Sequence, residues 1–64
     1  MEKIVTVLGA GAWGTALSNL LAENGYDVIL WCHESNVVKD IELTRINKNF
    51  LPGVSLHSKI RPTC

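Results

Sequence analysis

The chain lacks a net charge: six Lys and Arg are balanced by six Asp and Glu. No field of one sign draws nucleic acid or an anionic membrane to it, so neither is expected as a partner. Cysteine is scarce too. Cys32 and Cys64 lie far apart and form no CxxC pair, which makes a reduced, cytoplasmic chain a simpler expectation than a disulfide-stapled secreted one. Neither thiol has a base or metal partner in the pattern around it, so both read as unreactive. No apolar run approaches the roughly 20 residues of a membrane span. Ile4 to Ala22 is apolar enough to suggest a signal peptide, yet Glu2 spoils the basic start and three glycines interrupt the run. Repeats, low-complexity tracts and linkers are missing. What is left, at 64 residues, is one small domain that buries only about 60% of its unfolded surface.

Within that length the apolar residues change period. Ile4-Val5-Thr6-Val7-Leu8 is β-branched and apolar on both alternating faces, the pattern of a strand covered on both sides. From Ala12 to Asn24, Ala16, Leu17, Leu20 and Leu21 recur at helical spacing, with Ser18, Asn19 and Glu23 on the opposite face. Gly25 stands where a helix end wants a left-handed residue. Asp27-Val28-Ile29-Leu30-Trp31 is a second strand. The stretch between the strands has room for a crossover helix, so a right-handed parallel β-α-β unit is predicted. Ser35 is expected to cap a second helix through Val37, Val38 and Ile41, with Thr44 and Arg45 continuing its stripe and fraying by Asn47. Phe50 then reads as an aromatic anchor before a Pro52-Gly53 turn of type II. Ile60 to Cys64 begins a third strand at most.

The junction of strand and helix reads VLGAGAWGTAL, with Gly9-x-Gly11-x-x-Gly14. The bare pattern is weak, but between a strand and a helix of a β-α-β unit it points to a dinucleotide. Gly9 permits the tight turn, Gly11 lets backbone approach a pyrophosphate, and Gly14 lets helix and strand pack closely. The ligand's charge meets free N–H groups and the positive end of the helix dipole. Ala12 and Trp13, in the first helical turn, are placed beside the phosphates, with plain core the competing reading for Trp13. The bland alternative for the whole turn is packing alone.

At the end of the second strand, Cys32 stands where an NAD-selective site commonly has Asp or Glu. His33 follows, able to donate a hydrogen bond and, when protonated, to face a 2′-phosphate. The expectation is a site that accepts NADPH at least as well as NADH, with His33 as a solvated loop residue the alternative. Glu34 is one place late and serves the helix start instead. A zinc reading of His33-Glu34 fails because HExxH needs a histidine where Val37 stands, so no metal is expected. His57 is a loop residue.

These residues resemble a known family. GAGAWGTALSNLLAENGYDVILWCHE is similar to the N-terminus of bacterial NAD(P)-dependent glycerol-3-phosphate dehydrogenase, and Asn47-Lys48-Asn49-Phe50-Leu51-Pro52-Gly53 to its Asn-x-x-Tyr/Phe-Leu-Pro-Gly segment. The resemblance covers nearly all of the chain and only the first part of the family's longer one. It implies a Rossmann-type α/β unit truncated to two or three strands (1–64), with the catalytic C-terminal domain absent. It also implies cofactor contacts at Gly9, Gly11, Ala12, Trp13, Gly14 and His33, with Phe50 closing on the nucleotide. The family reduces dihydroxyacetone phosphate to sn-glycerol 3-phosphate for phospholipid synthesis. Its catalytic and substrate residues lie past Cys64, and a homodimer of the complete enzyme stays open. Two departures stand out: the family's usual Ser is Ala12 here, and its Asp-Pro after the strand is Glu34-Ser35. A stand-alone nucleotide-binding module and a fragment without function are the competing readings.

Overall fold

The computed structural model describes residues 3–64; Met1 and Glu2 lie outside the described residues. The elements run β1 (Ile4–Leu8), α1 (Ala12–Glu23), β2 (Asp27–Trp31), α2 (Ser35–Thr44) and β3 (Ile60–Thr63). They form one three-stranded sheet in the order β1-β2-β3, with β2 parallel to both neighbours. The register pairs Ile4 with Asp27 through Leu8 with Trp31, and Val28 with Ile60 through Trp31 with Thr63. The third strand therefore forms, and it tolerates Pro62 because an edge strand needs fewer N–H donors.

Two right-handed crossovers in one direction place both helices on the same side of the sheet. Burial agrees: Val7, Val28, Leu30, Cys32 and Ile60 are buried on one face beneath Ala22, Val37 and Ile41. The other face carries Ile4, Thr6, Leu8, Ile29 and Trp31 (Leu8 is 79% exposed) and is not covered by either helix. Both apolar faces expected of β1 are present, and among the described residues the helices cover one of them.

The helix α1 also departs from its pattern. Its buried residues are Thr15, Ser18 and Ala22, while Ala16, Leu17 and Leu20 are exposed and Leu21 is half-buried against the core. Small side chains bring this helix down onto the strands, and the predicted leucine stripe is turned outward. Ser18 tolerates burial because its hydroxyl donates to Gly14 O at 2.8 Å. Asn19, expected on the solvent face, is half-buried and accepts from the His57 backbone N–H at 2.9 Å. The helix ends one residue early, with Asn24 as cap and Gly25 at φ +93°.

In α2 the N-cap is Glu34 rather than Ser35, with no side-chain capping bond; Ser35 is already the first helical residue. Arg45 does not extend the stripe. It turns left-handed at φ 59° as the C-cap, and its guanidinium donates to the carbonyls of His57 and Ile60, tying the loop before β3 to the end of α2. Gly53 takes φ +82°, the value of the third residue of a type II turn.

Candidate functional site

Each glycine of the turn meets a different physical demand. Gly9 sits at φ +106°, a conformation side chains rarely adopt, and donates its N–H to Trp31 O at 2.9 Å. A Cβ on Gly14 would lie 2.1 Å from the Gly9 carbonyl oxygen, so helix and turn touch only because position 14 has no side chain. Gly11 is unlike both. It is the N-cap of α1 at φ −70°, ψ −179°, and a Cβ there would meet nothing within 4 Å. Nothing inside the chain requires a glycine at this position.

The first turn of α1 is left open to a ligand. No side chain caps Gly11, and no acidic residue occupies the first turn to neutralise the dipole. The first N–H groups of a helix have no intrahelical acceptor, so those of Ala12, Trp13 and Gly14 are available to an anion. Beside them lies a cleft of about 120 Å³, walled by Gly9, Ala10, Gly11, the strand end Cys32-His33-Glu34, Val37 and Phe50. That is below the roughly 300 Å³ at which drug-sized ligand clefts begin, so it holds one part of a dinucleotide and not all of it.

Four of the predicted residues, Gly9, Gly11, His33 and Phe50, come together at this cleft. Gly14 stands behind the turn. Ala12 and Trp13 are exposed at the helix start and do not wall the cleft; Trp13 is 81% exposed and takes no part in the core formed by the described residues. His33 is exposed, its ring edge-on to Trp31 at 4.7 Å between centroids. Cys32 is fully buried on the cleft floor, where burial raises its thiol pKa above the ordinary value; the Thr63 backbone acts against this and nearby Cys64 adds to it. Both cysteines are free. Among the described residues no three His, Cys, Asp or Glu gather as a metal site.

Sequence reasoning assigned no site role to Asn47, placed where a helix frays. It is 1% exposed, and its side-chain nitrogen donates to Ala10 O at 2.8 Å and Thr15 Oγ1 at 2.9 Å. The available signal was its place at the head of the Asn-x-x-Phe-Leu-Pro-Gly segment.

A parallel β-α-β sheet with a glycine turn, an uncapped helix N-terminus and a cleft at the strands' carboxyl ends defines a Rossmann-type dinucleotide-binding unit. Residues 4–64 match the family described as NAD-dependent glycerol-3-phosphate dehydrogenase N-terminus, and the chain belongs to that family. Among its relatives is the NAD(P)+-dependent glycerol-3-phosphate dehydrogenase of Carboxydothermus hydrogenoformans, 52% identical over 59 residues, covering 92% of this chain and 18% of that protein. The enzyme of the same name from Geobacter sulfurreducens is 50% identical over 56 residues, 88% of this chain and 17% of its own. The crystal structure of glycerol-3-phosphate dehydrogenase from Coxiella burnetii superposes with a TM-score of 0.90 at 35% identity, over 98% of this chain and 19% of that one. The chain thus spans less than a fifth of the length of these relatives. Among the described residues, no helix is long and apolar enough to cross a membrane.

Proposed function

We propose that the chain is the cofactor-binding opening of a glycerol-3-phosphate dehydrogenase, holding the pyrophosphate of NADPH or NADH on the turn Gly9–Gly14. The observation that carries this reading is Gly11: an N-cap with an ordinary φ, no steric neighbour and no capping side chain. A glycine with no use inside the fold is accounted for by something outside it. The bound dinucleotide would supply the hydride. This chain's residues would bind and orient it: the first-turn N–H groups on the pyrophosphate, and His33, Cys32 and Phe50 around the adenosine end. Position 32 carries no carboxylate to repel a 2′-phosphate, and the carboxylate that does wall the cleft, Glu34, is exposed to solvent next to His33; this supports NADPH being accepted at least as well as NADH. Reduction of dihydroxyacetone phosphate, a cytoplasmic setting and any dimer belong to the complete enzyme in this proposal.

The test is a graft, in which this chain replaces the matching stretch of the Carboxydothermus enzyme. The graft should oxidise NADPH in the presence of dihydroxyacetone phosphate. Introducing Gly11→Val should raise the NADPH dissociation constant by tenfold or more, because a branched side chain then stands where the phosphates approach. Unchanged affinity in that variant refutes the assignment of the turn.

A further inference from the structure

Asn47 lies outside the cleft wall, yet it reaches the glycine turn from 37 residues away in sequence. Its carboxamide orientation is fixed by chemistry. The Ala10 carbonyl needs a donor, so the nitrogen faces it and the oxygen faces away. Both N–H bonds are spent, one on Ala10 O and one on Thr15 Oγ1. The oxygen, Oδ1, is buried with no hydrogen-bond partner. A buried orphan acceptor is a cost that a side chain chosen for stability alone would avoid.

What the two donated bonds accomplish follows from the planarity of the peptide unit. The C=O of Ala10 and the N–H of Gly11 belong to one trans peptide and point in opposite directions. With Ala10 O held inward by Asn47, the Gly11 N–H is turned outward, away from the core. Gly11 has no side chain and no atom within 4 Å of where a Cβ would stand, so no packing of its own fixes that plane. We infer that Asn47 is a positioning residue that aims the Gly11 N–H at the dinucleotide's phosphate by holding the other end of the same peptide.

The inference rests on the reading of the turn as a pyrophosphate site. It adds a reciprocal effect. An anion accepting from Gly11 N–H polarises the peptide, makes Ala10 O a better acceptor and strengthens its bond to Asn47.

The graft described above provides the test, with NADPH as the probe. Asn47→Leu removes the donors without adding charge. It should raise the dissociation constant and KM for NADPH about tenfold, the loss of roughly one hydrogen bond. At saturating NADPH, kcat and the KM for dihydroxyacetone phosphate should stay within twofold. Thr15→Val removes the other partner and leaves the Ala10 bond in place; its NADPH affinity should stay within twofold even where its melting temperature falls as far. A purely structural role predicts that both variants lose affinity in proportion to lost stability, and that result would overturn the inference. A measurement on the unmutated graft needs no variant to fold: the Asn47 side-chain amide protons, observed by NMR with labelled asparagine, should move downfield on NADPH addition. Unmoved resonances in a graft that binds NADPH sink the positioning role alone, whereas a graft that binds no NADPH sinks the reading of the turn beneath it.

Discussion

The three glycines of the turn are alike in sequence and should separate under the same substitution. In Gly14→Ala the new Cβ would sit 2.1 Å from Gly9 O and 3.3 Å from Gly9 C. Ordinary contact requires a retreat of about 1.3 Å or more. The carbonyl cannot yield freely, since Gly9 is held at φ +106° and its N–H is bonded to Trp31 O. Overpacking of this kind costs about 1–3 kcal/mol, more where backbone must move, and the gain of Ala over Gly in a helix offsets about 1 kcal/mol. Since backbone must move here, the upper end applies and the net loss is about 2 kcal/mol, which in a domain of about 150–250 residues lowers the melting temperature by about 4–8 °C. Gly11→Ala meets no atom and no strained φ. The entropy it removes from the unfolded chain stabilises by about 0.4–1 kcal/mol, and the poorer N-cap takes back about as much. Its melting temperature should therefore be unchanged while its NADPH affinity falls. Thermal unfolding of the graft by circular dichroism, paired with fluorescence titration of NADPH, reads both quantities. If Gly11→Ala destabilises as much as Gly14→Ala and binds NADPH normally, the turn is a packing device and the reasoning fails.

Two further outcomes are expected. Cys32→Asp, on the floor of the cleft, should move the ratio of kcat/KM values toward NADH, because a carboxylate holds ribose hydroxyls and repels a 2′-phosphate; burial will also destabilise the variant, so the ratio is the readout, and an unmoved ratio places discrimination elsewhere. The 64-residue chain alone should not oxidise NADPH with dihydroxyacetone phosphate and should self-associate through the bare sheet face of Ile4, Leu8, Ile29 and Trp31; turnover by the isolated chain, or a monodisperse monomer with a sharp thermal transition, would contradict this.

Local chemistry in the sequence determined the elements and the turn. Strand β1, strand β2 and the start of α1 lie where β-branched runs and the change of period place them, and Gly9 and Gly25 take the positive φ that their positions demanded. These depend on backbone sterics and nearest neighbours, which a sequence carries directly. Tertiary structure alone decided which side of each element is inside. Leucine marks an apolar stripe on α1, but the sheet selected Thr15, Ser18 and Ala22, because close approach over Gly14 rewards small volume more than hydrophobicity. The same holds for Asn47, whose role needs Ala10 and Thr15 brought against it from 37 and 32 residues away. Hydrogen bonds across such distances leave no local period or spacing to read; they exist only once the chain has closed on itself.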